Sequence, residues 1–239
     1  MDQHGKHRPL VKGAIITGFS VLASPADACR LALLLALDIS ASVDAEEDQL
    51  QRQGLAAALL APEIRAAFLS SPEPVALAAF EWSGTRYQTD ILDWTLITDA
   101  AALEQAAARI ASSSRSSEGW PTALGYALGY AALTLQEAPE CLFQTIDVAG
   151  DGRNNDGFGP DSAYAAYPFD GVIVNGLVIL EDEDGVRRYY EDAVKRGPGA
   201  FVETANGFAD FEAAMRRKLL RELTSQVLGR SVRGEALGG

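Results

Sequence analysis

The sequence is poor in histidine, cysteine and positive charge, and each shortage removes a class of function. Its two histidines, His4 and His7, both fall within the first 28 residues. Beyond them no Ser-His-Asp or Cys-His catalytic set can be assembled, and histidine is lost as a metal ligand. The two cysteines, Cys29 and Cys141, are too few for a structural zinc site. Lysine and arginine total 20 against 33 aspartates and glutamates, a formal charge of −13. Phosphate binding needs a basic face, so nucleic acid is excluded as a partner. The same acidity argues against docking on an anionic membrane surface. No stretch reaches the ~20 apolar residues that a membrane-spanning helix needs.

What is present is ordinary for a globular protein: 239 residues, 48% hydrophobic and 22% charged. This length suits one large domain. Residues 1–28 read as an export signal. Lys6, Arg8 and Lys12 form a positive segment, 13–23 a short apolar one, and Ala26-Asp27-Ala28 a small-x-small cleavage site. The mature chain then begins at Cys29 and is periplasmic or secreted. Ala26 stands where a lipobox carries leucine, which argues against a lipid anchor on Cys29. In an oxidising compartment Cys29 and Cys141 are available to form a disulfide.

Strand-like and helix-like segments alternate after the leader. The unbroken apolar run at 30–38 predicts a parallel strand buried on both faces. A helix is expected over 43–60, with Asp44, Glu46, Glu47 and Asp48 crowding its first turn. Strands are expected next at 74–82 and 87–96, the second an edge or hairpin strand. A helix at 100–111 leads into a polar loop at 112–119, and Pro121 suits the first turn of a helix reaching about 138. The remainder predicts a strand at 141–149, a Gly/Asn/Asp loop at 150–160 and a short helix at 161–167. Then come a strand at 172–180, a solvated acidic turn at 181–185 and a last strand at 200–204. Phe208, Phe211, Met215 and Leu219 share one face of a closing helix at 208–223. A core domain over 29–228 precedes a Gly-rich tail at 229–239, expected to fray. The pattern is that of an α/β fold, with a doubly wound, mostly parallel central sheet flanked by helices, Rossmann-like in plan.

Three predicted loops fall at the same end of that sheet, the carboxyl ends of its strands, where ligands of open α/β sheets sit. The first carries Asp38, Ser40 and Ser42; a spacing of two sends both hydroxyls the same way if the chain is still extended. The second is Gly119-Trp120-Pro121-Thr122 and the third Ala149-Gly150-Asp151-Gly152. Two carboxylates and three hydroxyls form an all-oxygen donor set. Such donors suit a hard divalent cation, Mg²⁺ before Mn²⁺ or Ca²⁺, better than zinc or copper.

The runs LALLLALDISAS, PTALGYAL and TIDVAGDG resemble the von Willebrand factor type A (vWA) domain. The segments FEWSG, GDGRNNDG and VIVNGLVIL resemble a bacterial exported subgroup of that fold, the DUF1194 family. The likeness covers residues 30–223. It implies a metal-ion-dependent adhesion site (MIDAS) in which Asp38, Ser40, Ser42, Thr122 and Asp151 surround the cation. One position would be left for water or for a carboxylate from a protein partner. It also implies that the strand ending at Asp38 lies beside the strand ending at Asp151. Cys29 stands nine residues before Asp38 and Cys141 ten before Asp151, so a Cys29–Cys141 disulfide is expected at the opposite end of the sheet.

Competing readings exist. Asp38 and the two serines could simply cap the helix near Val43. The site could be vestigial in a structural domain. A metal-dependent hydrolase or phosphatase also places an aspartate after its first strand. However, Ser40 stands where such enzymes want a second aspartate, and no lysine neighbours the three loops. The segment from Asp151 to Gly157 has an EF-hand flavour, but Ser162 occupies the twelfth position where glutamate is required. Asn154, Asn155 and Asp156 are instead expected to hold their loop by side-chain-to-backbone bonds. Of Trp82, Trp94 and Trp120, only Trp120 adjoins a metal loop, where it could contact a partner.

Overall fold

The computed structural model of the protein describes Met1 and residues 29–180 and 185–236, with side chains to residue 224. The leader expected over 1–28 and most of the acidic turn at 181–185 lie outside the described residues.

Six strands form one sheet in the order β3-β2-β1-β4-β5-β6. They are β1 (Cys29–Asp38), β2 (Val75–Trp82), β3 (Gln88–Ile97), β4 (Cys141–Gly150), β5 (Val172–Ile179) and β6 (Val202–Ala205). All neighbouring pairs run parallel except β2 and β3, an antiparallel hairpin at the edge. Every residue of β1 is buried, because both of its faces are covered. Leu31, Leu33, Leu35 and Leu37 join one core layer, and Ala32, Leu34 and Ala36 the other. Burying each of those leucines contributes roughly 2 kcal/mol, which explains why the central strand is a continuous apolar run.

The leucine layer packs against α1 (Ala45–Leu60), α2 (Pro62–Phe68), α3 (Ala100–Ala111) and α7 (Phe211–Ala236). The opposite layer is covered by α4 (Leu124–Gln136) and α5 (Pro160–Ala166). A short α6 (Val186–Tyr189) continues into a π-helical turn over Tyr190–Val194, a segment for which the sequence offered no assignment. The final helix is helical to Ala236, through the Gly-rich stretch from Gly229.

Two expectations need correction. Pro121 does not open α4, which starts at Leu124. The backbone before it is tied sideways: Thr122 N–H donates to Asn155 Oδ1 at 2.8 Å, and Thr122 C=O accepts from Asn155 N–H at 2.9 Å. Ala123 N–H donates to the Ser83 carbonyl at 3.0 Å, so those groups are committed to neighbouring loops. The helix expected from Val43 starts at Ala45 instead, with Asp44 as its cap.

At the start of the sheet Cys29 and Cys141 face each other in the β1–β4 register, their Cα atoms 4.5 Å apart, and form a disulfide. At the other end the same two strands deliver Asp38 and Asp151. The chain winds to β2 on one side of β1 and to β4 on the other, so this is also the topological switch point where α/β sheets open a crevice.

Candidate metal centre

Asp38 is the last residue of β1, and immediately after it the chain turns rather than staying extended. Val43 N–H donates to Ser40 C=O at 3.0 Å. It is this turn, and not strand alternation, that brings the Ser40 and Ser42 hydroxyls within 3.2 Å of each other. Ser42 Oγ donates to Asp151 Oδ1 at 2.8 Å, and Thr122 Oγ1 donates to Ser40 Oγ at 3.2 Å. Asp38 Oδ1 accepts the Ser40 N–H at 2.7 Å. One chain of contacts therefore links all five side chains across three loops. Asp38, Ser40, Thr122 and Asp151 are buried, while Ser42 faces solvent.

Helix capping does not account for these residues. Asp44 Oδ1 accepts from the Glu46 and Glu47 amides at 2.8 and 2.9 Å, and Glu47 Oε2 accepts from Asp44 N–H at 2.7 Å. That reciprocal capping box already closes the start of α1. Asp38 and the serines stand outside it.

The electrostatics are those of a site short of positive charge. Asp38 Oδ2 is buried without a hydrogen-bond partner. Burial pushes the Asp38 carboxyl up to about 8, and the nearby Asp151 carboxylate adds to the rise. The Ser40 amide and hydroxyl and the Arg115 guanidinium oppose it. Two carboxylates beside three mutually touching hydroxyls, one of which donates to Asp151, fit an oxygen-bound divalent cation. Among the described residues no group of three or more His, Cys, Asp and Glu could hold a metal. A cation in this centre would depend on hydroxyl oxygens as well as its two carboxylates.

Several neighbours of the site carried no signal in the sequence. Tyr190, fully buried in the π-helical turn, brings its hydroxyl beside Gly150, and that hydroxyl lacks a hydrogen-bond partner. A Cβ on Gly150 would lie 2.5 Å from Tyr190 Oη and 2.8 Å from Asp38 Oδ2, so only glycine fits there. Burial, then the charges of Asp38 and Asp151, raise the Tyr190 phenol well above its usual range. Gln51 Nε2 donates to Asp38 C=O at 2.9 Å. The third loop is held partly as expected. Asn154 Oδ1 accepts from Gly125 N–H at 3.1 Å and Asn155 Oδ1 from Thr122, whereas Asp156 contributes its backbone N–H to Thr122 C=O.

Beside this cluster Trp120 is 42% exposed and stacks on Tyr87, ring centroids 4.3 Å apart. Its carbonyl accepts from Ala41 N–H at 2.7 Å, which fixes it against the loop after β1. Trp82 is buried, and Trp94 is half-buried with its indole N–H donating to the Thr134 carbonyl at 3.1 Å.

A mostly parallel sheet in this order, with these three loops at its switch point, is the vWA fold, and solved structures share it. A von Willebrand factor type A protein from Catenulispora acidiphila superposes with a TM-score of 0.58 at 17% identity, covering 82% of this chain and 43% of its own. Proximal thread matrix protein 1 from the mussel byssus, in a structure with a zinc-occupied MIDAS motif, gives 0.62 at 16%, covering 82% and 48%. The pilus adhesin SpaC from Lactobacillus rhamnosus GG gives 0.56 at 12%, covering 82% and 30%. The chain thus spans half or less of the length of these proteins. No curated protein matches the sequence. The chain belongs to the family described as "Protein of unknown function (DUF1194)", which matches residues 28–227.

Proposed function

We propose that this protein is an exported, non-enzymatic, metal-ion-dependent protein-binding module. Asp38, Ser40, Ser42, Thr122 and Asp151 would hold the divalent cation, with Mg²⁺ preferred and Mn²⁺ or Ca²⁺ as alternatives. The observation that carries the reading is the junction of two carboxylates and three hydroxyls at the switch point, with a buried Asp38 oxygen left without a partner. When bound, the cation supplies a concentrated positive charge able to take an aspartate or glutamate from a partner protein. A surface carrying −13 would otherwise repel that carboxylate.

The MIDAS motif of the byssus protein and the adhesive nature of the pilus protein support this class of function. The Cys29–Cys141 disulfide supports an oxidising, extracytoplasmic location, periplasmic or secreted. Trp120, exposed beside the first metal loop, would form part of the partner rim. A peptide display library panned in Mg²⁺ and eluted with chelator tests the reading. Enrichment of Asp- or Glu-containing peptides, abolished by Asp151→Ala, is the expected result. Enrichment that ignores chelator would refute it.

A further inference from the structure

The loop over residues 112–119 reads in sequence as a polar loop, yet one of its side chains reaches into the loop after β1. Arg115 Nη2 donates to the carbonyls of Ile39 at 2.7 Å and Ser40 at 3.1 Å. Its Nη1 donates to Val43 C=O at 2.6 Å, and its Nε to Ser117 C=O at 2.7 Å. The three carbonyls from the first loop bracket the turn that presents Ser40 and Ser42. The loop holding Arg115 is itself anchored to buried groups. Ser116 N–H donates to Glu81 Oε1 at 2.7 Å, Arg52 Nη1 donates to Ser113 Oγ at 2.6 Å, and Arg52 also pairs with Glu81.

We infer that Arg115 is a positioning residue for the cation site: its guanidinium sets the 38–43 turn so that Ser40 and Ser42 converge with Thr122 and Asp151. The inference rests on the metal-binding function proposed for this site. Carbonyls gathered on one side of a tight turn repel one another and need donors. A planar fork with five fixed N–H groups meets four carbonyls at once, while an ammonium offers three donors from a single point. Among the described residues no carboxylate pairs with Arg115, so its charge stays beside the site. Charge alone would disfavour a second cation there. Arg115→Lys, which keeps the charge, separates the two roles: position predicts weakened binding there, and charge alone predicts wild-type binding.

Mg²⁺ and Mn²⁺ titrations of the wild-type protein, Arg115→Met and Arg115→Lys separate them. Both variants should bind the ions about 10- to 100-fold more weakly, the range for groups that orient metal ligands. Amide hydrogen exchange in chelator gives a readout independent of metal. The amides of Ser40, Ala41 and Val43 should exchange faster in both variants, with the β1 amides Leu33 to Leu35 unchanged as a check on folding. Unchanged or tighter binding in Arg115→Met, or full recovery in Arg115→Lys, would overturn the positioning role and leave the metal site standing. A wild-type protein that binds neither ion would remove the site itself, and this role with it. Global acceleration of exchange in both variants would assign Arg115 to folding instead and likewise overturn the inference.

Discussion

Replacing Asp38 with asparagine should have opposite effects with and without metal. In chelator the Asp38 carboxyl is buried beside Asp151 and titrates near 8 instead of the ordinary 3.8. A carboxyl whose folded value is raised contributes stability that is complete below the unfolded pKa and is lost as pH climbs through the folded one. At pH 7 the loss relative to acid conditions is on the order of 4 kcal/mol. Asparagine does not ionise, and its Oδ1 can still accept the Ser40 N–H. Its amide group buried in place of Oδ2 costs about 1–3 kcal/mol if left unpaired. The net expectation in chelator at pH 7.5 is a variant more stable than wild type by about 1–3 kcal/mol. That advantage should shrink towards pH 4. Added Mg²⁺ should raise the wild-type midpoint and leave the variant unmoved. Urea denaturation at pH 4.5 and 7.5, with chelator and with Mg²⁺, measures all four quantities. A wild-type to variant difference that does not change with pH would refute the reasoning.

The packing predicts three more outcomes. Replacing both Cys29 and Cys141 with serine should cost about 2–5 kcal/mol in denaturant; because the disulfide lies at the far end of the sheet from Asp38 and Asp151, the Mg²⁺ affinity should stay unchanged in titration. Gly150→Ala places a methyl 2.5 Å from Tyr190 Oη and 2.8 Å from Asp38 Oδ2. It should lower the thermal midpoint and abolish Mn²⁺ binding, and a variant normal in both would contradict the close approach. Lys218 is fully buried between Asp147 and Glu222, so Lys218→Met strands two buried acids and should destabilise by about 3–5 kcal/mol in urea.

The sequence was most informative where chemistry coincides with strand ends. Asp38 and Asp151 stand at the carboxyl ends of apolar runs, so a parallel sheet had to bring their loops to one edge. The pairing of Cys29 with Cys141 was legible only through the vWA resemblance, which sets their two strands side by side. Thr122 was harder to place, because its position depends on Asn155 and Ser83 holding the backbone out of the helix that Pro121 suggested. Arg115 and Tyr190 left no trace, since a single arginine in a serine run and a tyrosine in a π-helical turn acquire meaning only through distant partners. Lys218 was concealed differently. It adjoins the apolar stripe of α7 and pairs with Glu222 one turn on, a spacing that in sequence resembles a solvated salt bridge. Asp147 on β4 pairs with the same ammonium, and Asn175 on β5 donates to Glu222, which ties the pair to the sheet.

If five side chains from three loops hold a divalent cation, isothermal titration of the full chain with Mg²⁺, Mn²⁺ and Ca²⁺, beside Asp151→Ala, tests it most directly. Saturable one-to-one binding in the wild type, absent from a variant that remains folded, is the predicted result. A folded wild type that binds none of the three ions, or an Asp151→Ala variant that binds as tightly, would contradict it.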